Sequence, residues 1–354
     1  MTKHFVSVKA RAIANRVWLI AILLSGVAGV AKAQTPSLRL DRTAFVPLGG
    51  IDQWISIRGE SSANPVLLVV HGGPGEAQWP QAEVYRPWEK AFIVVQWDQR
   101  GAGHTFGRYG TNTPDVTLDR ISKDGVELAE YLCRELGKKR IIVVGHSWGS
   151  LVATHMVQMR PGLFAAYVGT GQVASWMAMV TIQFDLLLDK ARKDGNQTTV
   201  KELEAIGRPG PTNGDHFNLL NKYNFFSLWP PSDQAWIQHL RSQANELKAR
   251  EPEQFKNLED GMQFTGKRVL PDQIATNLPQ SACNIQTDYF VIQGRDDVVT
   301  PTKAAIAYFN CVNAPKKKLI LIPNAGHFAW MTASDKFLEA LTSEVRSSAI
   351  IAGA

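Results

Sequence analysis

The stretch VVGHSWGSLVA, residues 143–153, places a serine between two glycines at the junction of a predicted strand and a predicted helix. The run RIIVVG before the serine is apolar and β-branched, as is typical of a buried strand, and SLVATHMVQM after it is typical of a helix. A G-x-S-x-G pattern at such a junction permits a tight turn that holds the serine hydroxyl clear of the backbone. The pattern favours a nucleophilic Ser147; the alternative is an ordinary strand-to-helix turn with a surface serine.

The composition is that of an ordinary globular protein. The chain has 354 residues, of which 45% are hydrophobic and 20% are charged. This length is sufficient for one large α/β domain with an insertion, or for two small domains.

The N-terminus has the pattern of a secretory signal peptide. Four basic residues precede the apolar run 17–30, and the small-residue motif AKA follows at 31–33. The apolar run is shorter than the roughly 20 residues that span a bilayer, so an uncleaved anchor is the weaker alternative. We therefore expect cleavage after Ala33 and a periplasmic or secreted protein without a stable membrane anchor.

The positive net charge of the chain comes from this segment. Residues 1–33 contain five of the 38 Lys and Arg residues and no Asp or Glu, so 33 basic residues face 32 acidic ones in the remainder. A net charge of +1 is no reason to expect a nucleic acid or an anionic surface as a partner. We expect a small-molecule or short-peptide substrate, and the sequence leaves the oligomeric state open.

The three cysteines do not have the spacing of a metal site, and we expect no bound metal. Cys133 lies in a predicted helix and is interpreted as a free thiol. Cys283 precedes a predicted strand, and Cys311 ends the helix that follows that strand, so both are expected at the same edge of a parallel sheet. In an oxidising compartment this placement predicts a Cys283–Cys311 disulfide.

The order of predicted elements indicates an α/β fold with an inserted helical cap. Strands and helices alternate over residues 34–173, long helical runs occupy 174–283, and the alternation resumes over 284–354. Such alternation predicts a mostly parallel, doubly wound sheet. Ligands bind beyond the C-terminal strand ends of these sheets, and the helical insertion leaves from such an end. We therefore expect the insertion to cover Ser147.

A serine nucleophile needs a base, and the base needs an acid that orients it. Asp296 and Asp297 follow the predicted strand TDYFVIQ, and His327 follows the predicted strand KKLILI. The chain order Ser, Asp, His, with each residue at a strand end, favours a catalytic triad. The alternatives are an aspartate that caps the next helix and a surface histidine.

An oxyanion hole needs two backbone N–H donors. The N–H of Trp148, directly after the serine, is one candidate. The loop HGGPG, residues 71–75, follows a predicted strand and is the expected source of the second, because its glycines permit close approach of the backbone to a ligand. The alternative is a plain tight turn.

Five motifs together resemble the proline iminopeptidase branch of the α/β-hydrolases, peptidase family S33. They are HGGPG at 71–75, DQRGAG at 98–103, GHSWGS at 145–150, GRDDVVTP at 294–301 and GHF at 326–328. The resemblance covers roughly residues 60–173 and 284–345. It implies an α/β-hydrolase fold, Ser147 as nucleophile, His327 as base and Asp297 rather than Asp296 as acid. It also implies oxyanion donors at Gly73 and Trp148, and no cofactor.

The inserted region departs from that family, whose members hold the substrate amine with cap glutamates, one of them in a W-x-x-W-E motif. No W-x-x-W-E occurs in this sequence. Three substrate-binding candidates remain, each with a plainer interpretation. Glu76 is either an ammonium acceptor or a solvated surface residue. Gln172 either lines the pocket or makes a structural hydrogen bond, and Trp176 is either a pocket wall or part of the cap core.

Three functional hypotheses follow. The first is an exported aminopeptidase that removes N-terminal residues, proline among them, from short peptides. The second is an esterase, lactonase or amidase that uses the same triad on a small apolar acyl substrate. The third is a catalytically inactive hydrolase fold that serves as a binding protein. A carboxylate that faces the pocket and pairs with an α-ammonium group would distinguish the first from the second.

Overall fold

The computed structural model of the chain describes residues 38–210 and 216–353. The predicted signal peptide, residues 1–33, lies outside them. Within the described residues one sheet is formed by β1 (Leu40–Leu48), β2 (Ile51–Gly59), β3 (Val66–Val70), β4 (Ile93–Trp97), β5 (Ile141–His146), β6 (Phe164–Thr170), β7 (Asp288–Gly294) and β8 (Lys317–Ile322). The strand order is β1-β2-β4-β3-β5-β6-β7-β8. The pairs β1–β2 and β2–β4 are antiparallel and the other pairs are parallel, which confirms the mostly parallel sheet.

The edge strand β1 was missed by the sequence analysis. Its sequence, LDRTAFVPL, has charged and polar side chains that are largely exposed, and it pairs only with β2. Charged side chains are a common feature of edge strands because they discourage pairing with other chains. The strand therefore lacks the mostly apolar pattern of β3, β4 and β5, from which a buried strand is predicted.

Helices cover both faces of the sheet. Those of the first part are α1 (Gly103–Tyr109), α2 (Leu118–Glu135) and α3 (Trp148–Met159), and those after β7 are α10 (Thr302–Cys311), α11 (Ala329–Thr332), α12 (Ser334–Ala340) and α13 (Arg346–Ile351). A π-helical turn, Leu341–Val345, joins the last two, and a 3₁₀ segment, Trp79–Lys90, precedes β4.

The core consists of two apolar layers, one on each face of the sheet. Successive residues of β3 alternate between them because side chains along a strand point to opposite faces. Leu68 packs in the layer that contains α2, α3 and α10, whereas Leu67 packs in the layer that contains Trp88 and Phe337. The central strands β3 to β6 are buried along their whole length because both faces are covered, and most of their residues are apolar. This arrangement confirms the doubly wound α/β class.

The helical insertion lies between β6 and β7. It contains α4 (Trp176–Lys193), α5 (Gln197–Ile206), α6 (His216–Lys222), α7 (Pro231–Arg250), α8 (Pro252–Ala275) and α9 (Leu278–Ser281). We call this insertion the cap. It has a small apolar cluster of its own, around Phe184, Leu187, Leu203 and Phe225. Within residues 38–210 and 216–353, no helix is both long and apolar enough to cross a bilayer.

Cys283 and Cys311 are joined by a disulfide, and their Cα atoms lie 5.5 Å apart. The bond connects the segment before β7 to the end of α10, next to a parallel bridge between Asn284 and Asn313. Cys133 lies in α2 as a half-buried free thiol.

Candidate active site

The turn between β5 and α3 holds Ser147 in a backbone conformation that is unusual for a residue with a side chain, with φ of +53°. A Cβ atom added at Gly149 would lie 2.0 Å from the Val70 carbonyl oxygen, and one added at Gly145 would lie 2.4 Å from the Gly149 carbonyl oxygen. Positions 145 and 149 are therefore restricted to glycine, because the atoms that a side chain would meet there belong to the backbone. The Ser147 N–H donates to the Thr170 carbonyl oxygen at 2.9 Å, which ties the turn to β6.

Asp297 lies in the loop after β7, where both of its carboxylate oxygens are occupied. Oδ1 accepts from the backbone N–H groups of Val299 (2.8 Å) and Thr300 (3.0 Å). Oδ2 accepts from Gln293 Nε2 at 2.9 Å and from His327 Nδ1 at 3.0 Å. These bonds hold the acid in one orientation, with one oxygen directed at the histidine.

Asp296 is exposed and makes no such contact with His327. The structure therefore brings Asp297, and not its neighbour, to the histidine. Thr300 reinforces the pair, because its Oγ1 donates to Asp297 Oδ2 at 2.9 Å and lies 3.2 Å from His327 Nδ1. The alternative that an aspartate caps α10 is not observed, since this helix begins after Pro301 without a side-chain cap.

His327 follows β8 and is only 5% exposed. Burial lowers the pKa of its imidazole, but the charge of Asp297 and the hydrogen bond to it, with the charges of Asp233 and Glu76, outweigh burial and raise the pKa above its ordinary value. With Nδ1 donating to Asp297, Nε2 is the nitrogen that can accept a proton. Among the described residues, no hydrogen bond occupies Nε2.

The His327 ring lies beside the Ser147 turn. A Cβ added at Gly171, next to the residue that accepts the Ser147 N–H, would lie 2.8 Å from His327 Cε1. In the described part of the chain the Ser147 hydroxyl makes no hydrogen bond to His327. Such catalytic hydrogen bonds are commonly long in the absence of substrate and tighten in the complex.

His146, the last residue of β5, supports His327 from the core. Its Nε2 donates to the His327 carbonyl oxygen at 3.1 Å, and the two ring centroids are 4.8 Å apart. Burial, followed by the charge of His327, lowers the pKa of His146 well below its ordinary value. His146 is therefore neutral at physiological pH and does not compete with His327 as a base.

The two expected oxyanion donors border the same cavity as Ser147. Trp148 is the first residue of α3, so its N–H is one of those at a helix start that have no partner within the helix. Gly73 has φ of +108°, a conformation that favours glycine. The DQRGAG motif supports both, because Gln99 accepts from Trp148 Nε1 at 3.1 Å and donates to the His71 carbonyl oxygen at 2.9 Å.

Glu76 directly follows the HGGPG loop and is half-buried. Among the described residues its carboxylate has no hydrogen-bond or ion-pair partner. Burial raises the pKa of this carboxyl group, and the charge of nearby His327 lowers it in part. Glu76 borders a second cavity of about 250 Å³, where the buried Oε1 of Gln243 also lacks a partner. A carboxylate so placed is a ready acceptor for a protonated amine.

Gln172 lies two residues beyond β6 and is 1% exposed. Its Oε1 accepts from the Tyr167 hydroxyl at 2.6 Å and its Nε2 donates to the Val173 carbonyl oxygen at 2.8 Å. Although Gln172 borders the cavity, its amide is engaged in structural bonds, as the plainer interpretation supposed.

The cavity over Ser147 has a volume of about 490 Å³ and lies between the C-terminal strand ends and the cap. Aromatic side chains form much of its cap side, namely Trp176, Phe217, Phe225, Phe226 and Trp229. Trp176 is both a pocket wall and part of the cap core, because it borders the cavity and packs against Phe217 at a centroid distance of 5.7 Å. Arg241 is the charged residue among the described lining residues, and no Asp or Glu is among them.

Two cap residues that contact the catalytic loops were missed by the sequence analysis. Gln183 of α4 donates to the Val299 carbonyl oxygen at 2.6 Å, beside Asp297. Asp233 of α7 accepts the His327 N–H at 2.6 Å. Each contact joins residues about a hundred positions apart in the chain, and no local sequence pattern indicates it. Within the described residues, no cluster of His, Cys, Asp or Glu is arranged to hold a metal ion.

Comparison with known proteins agrees with the motifs. A family model described as the alpha/beta hydrolase fold matches residues 65–334. The chain is 26% identical over 307 residues to the probable aminopeptidase YbaC of Bacillus subtilis (strain 168), covering 84% of this chain and 94% of that protein. It is 23% identical over 313 residues to a proline iminopeptidase of Lacticaseibacillus rhamnosus (strain Lc 705), covering 85% and 96% respectively.

Among solved structures, a proline iminopeptidase-related protein of Thermus thermophilus is similar in fold, with a TM-score of 0.61 at 20% sequence identity. The match covers 88% of this chain and 99% of that one. The resemblance indicated by the five motifs is therefore confirmed at the level of the fold and of the relatives.

Proposed function

The chain belongs to the α/β-hydrolase fold family, and we propose that it is an exported serine aminopeptidase of the proline iminopeptidase type. Its substrates are short peptides, from which it releases the N-terminal residue through an acyl-enzyme. The full-length relatives, which include a probable aminopeptidase and proline iminopeptidases, support the reaction class.

In this mechanism Ser147 Oγ attacks the carbonyl carbon of the first peptide bond, and His327 Nε2 takes the hydroxyl proton. Asp297 keeps the proton on His327 Nδ1 and stabilises the imidazolium that forms. The N–H groups of Gly73 and Trp148 bind the oxyanion of the tetrahedral intermediate. His327 then protonates the leaving amine as the peptide bond breaks. Water, deprotonated by His327, attacks the acyl-enzyme, and His327 returns this proton to Ser147 Oγ as the bond to the free amino acid breaks.

The observation that carries the choice of aminopeptidase is the Glu76 carboxylate. It is half-buried and without a partner in the described residues, and its charge acts on His327. A peptide's α-ammonium group, bound by Glu76, would fix how far the first peptide bond lies from Ser147. The enzyme would then release one residue from a free N-terminus. Glu76 would take the place of the glutamate of the W-x-x-W-E motif, which the sequence lacks.

One observation favours the esterase or amidase alternative. The cavity that contains Ser147 is mostly apolar, and no carboxylate is among its described lining residues, whereas Glu76 borders the second cavity. An apolar acyl group without an amine would pack against this apolar lining and would need no carboxylate. The two functions share Ser147, His327 and Asp297 and differ only in whether an ammonium group contributes to binding.

The proposal is tested with protein purified after expression of the full chain. We would measure kcat/KM on a prolyl anilide and a leucyl anilide, on the same anilides with the amine acetylated, and on short acyl esters. For an aminopeptidase, acetylation lowers kcat/KM by about 30- to 150-fold, the equivalent of about 2–3 kcal/mol of transition-state binding. Glu76→Gln should lower kcat/KM on the free-amine anilides by a similar factor and leave kcat/KM on the esters within about threefold of the wild-type value.

Two controls accompany this measurement. Glu253→Gln makes the same change at an exposed position of α8 and should leave kcat/KM unchanged for every substrate. Ser147→Ala should remove turnover of all substrates and labelling by a fluorophosphonate, with an unchanged unfolding temperature. Equal turnover of free and acetylated anilides would overturn the aminopeptidase in favour of the second function, and labelling of the Ser147→Ala protein would refute the nucleophile.

Export is tested separately, by fractionating cells that express the full chain and sequencing the N-terminus of the mature protein. Cleavage after Ala33 gives a mature protein that begins at Gln34. Recovery of the intact chain, with Met1 at its N-terminus and in the cytoplasmic fraction, would contradict the proposal.

A further inference from the structure

Asp233, the third residue of α7, is a cap carboxylate buried against the loop that carries His327. It is 1% exposed, and among the described residues no cation pairs with it. A buried carboxylate without a cation is costly unless hydrogen bonds satisfy it. Its environment therefore needs an explanation beyond ordinary packing.

Three consecutive backbone N–H groups supply those hydrogen bonds. Asp233 Oδ2 accepts from His327 N at 2.6 Å and from Phe328 N at 3.4 Å, and Oδ1 accepts from Gly326 N at 3.3 Å. The bond to His327 N is short, as expected for a charged acceptor. The carboxylate thus holds the backbone of the GHF motif from the cap side.

The opposite side of the same residue is held by the core. The His327 carbonyl oxygen accepts from His146 Nε2 at 3.1 Å, and the side chain is held by Asp297 at Nδ1. His327 therefore has three restraints, on its N–H, its C=O and its imidazole, and each comes from a different part of the chain. Only the restraint on the N–H belongs to the cap.

We propose that Asp233 is a positioning residue of the catalytic site, through which the cap orients His327 and places a buried negative charge behind it. The inference rests on the proposed role of His327 as base, but not on the identity of the substrate. Asp233 touches no reacting atom and acts only through His327.

The charges that act on His327 come from four elements. Asp297 approaches from the loop after β7, Glu76 from the loop after β3, His146 from the end of β5 and Asp233 from α7. The three carboxylates favour the protonated imidazole, and His146 is neutral. Burial raises the pKa of Asp233 itself, against the charge of His327, which lowers it. Removal of the Asp233 charge should therefore make His327 easier to deprotonate.

The test is the pH dependence of the rate at which a fluorophosphonate labels Ser147, because this rate depends on the base and not on a natural substrate. In the wild-type protein the rate falls at acid pH as His327 is protonated. In Asp233→Asn the acid limb should move to lower pH by roughly half to one unit, since an attractive charge is lost. The plateau rate should also fall, by about 3- to 30-fold, because the amide cannot accept from all three N–H groups.

Asp233→Glu keeps the charge and should restore the position of the acid limb, even where the plateau remains low. Asp189→Asn removes a charge at an exposed cap position, where the side chain is 74% exposed, and should leave both readouts unchanged. An Asp233→Asn profile that superimposes on the wild type would overturn the inference. A wild-type profile without an acid limb would instead overturn His327 as base, so the two failures are distinguishable.

Gly326→Ala tests the same contact from the core side, should Asp233→Asn not fold. A Cβ at Gly326 would lie 2.4 Å from Asp233 Oδ2 and would displace the carboxylate. This variant alone should lower the plateau rate by about 3- to 30-fold, and a plateau equal to that of the wild type would overturn the inference. Where Asp233→Asn also folds, the double variant should show little further loss, because both changes remove one interaction. Fully additive losses would count against the contact as the cause.

Discussion

His327 Nδ1 donates to Asp297 Oδ2 across 3.0 Å, and both residues are at least nine-tenths buried. The bond joins the loops after β7 and β8, which are neighbours in the sheet. It determines that Nδ1 carries the proton of the neutral imidazole, so Nε2 is the nitrogen that accepts a proton in the reaction. The pH dependence of the reaction follows from this bond.

We expect kcat/KM to rise with pH through a value above 6.5, the ordinary pKa of histidine, because Asp297, Asp233 and Glu76 raise the pKa of His327 in spite of burial. The neutral imidazole is the active base, so activity is lost as pH falls through that raised pKa. In Asp297→Asn the limb should move to lower pH and kcat should fall by about 10³- to 10⁴-fold. A rate that stays flat down to pH 4 in the wild type would contradict the assignment.

We expect Gly149, two residues after the serine, to be needed for stability and not only for access to the hydroxyl. Gly149→Ala would bring a Cβ to 2.0 Å from the Val70 carbonyl oxygen, so strand and helix must separate. We expect a loss of about 3 kcal/mol or more in the free energy of unfolding, measured by urea denaturation. Gly162→Ala is the matched control, because nothing lies within 4 Å of an added Cβ there. It should change stability by less than about 0.5 kcal/mol.

Acid should weaken the cap through His216. Burial lowers the pKa of this residue to about 4, and its Nε2 donates to Gln183 Oε1. The unfolded chain binds a proton near pH 6.5 that the folded protein refuses until about pH 4, so stability is full above 6.5 and declines between these values. The loss approaches about 3 kcal/mol at most.

This prediction is checked by urea denaturation at pH 7 and pH 4.5, in the wild type and in His216→Gln. The variant keeps a donor for Gln183 but has no group to protonate, so its loss of stability over this interval should be smaller. Equal losses in both proteins would assign the acid sensitivity to other groups, such as the buried His71 and His146.

The disulfide should stabilise the folded protein. Cys283 and Cys311 are 28 positions apart, and closing a loop of that size restricts the unfolded chain by about 3 kcal/mol. Cys311→Ser should lower the free energy of unfolding by that amount, whereas Cys133→Ser, at the free thiol of α2, should have a much smaller effect. Denatured but unreduced protein should contain one titratable thiol; three would show that the bond is not formed.

Local sequence pattern predicts a structural feature correctly where the residues that determine that feature are close together in the chain. The strand, turn and helix around Ser147 are set by residues within a few positions of the serine, and steric crowding at Gly145 and Gly149 leaves one residue type possible. Burial on both faces makes β3, β4 and β5 mostly apolar, which is the pattern by which a buried strand is predicted. The edge strand β1 is largely exposed and carries charged residues, so its sequence does not have the pattern of a buried strand.

The distinction between Asp296 and Asp297 was indicated by a motif but is explained only by geometry. Adjacent residues point in different directions, so one carboxylate faces solvent and the other accepts from His327. Glu76 shows the same limit. The sequence places it after the HGGPG loop, but its half-burial, with no partner in the described part of the chain, depends on how α7 and α8 pack over that loop.

The sequence by itself determined the α/β class, the inserted helices and the chain order of serine, aspartate and histidine, because strand periodicity and tight turns are properties of short segments. Only the tertiary structure decided which cap residues hold the catalytic loops. Asp233 and His327 are 94 positions apart, and Gln183 and Val299 are 116 apart. Such contacts arise when the helices pack over the strand ends, where hydrogen bonding of buried polar groups depends on position in space and not along the chain.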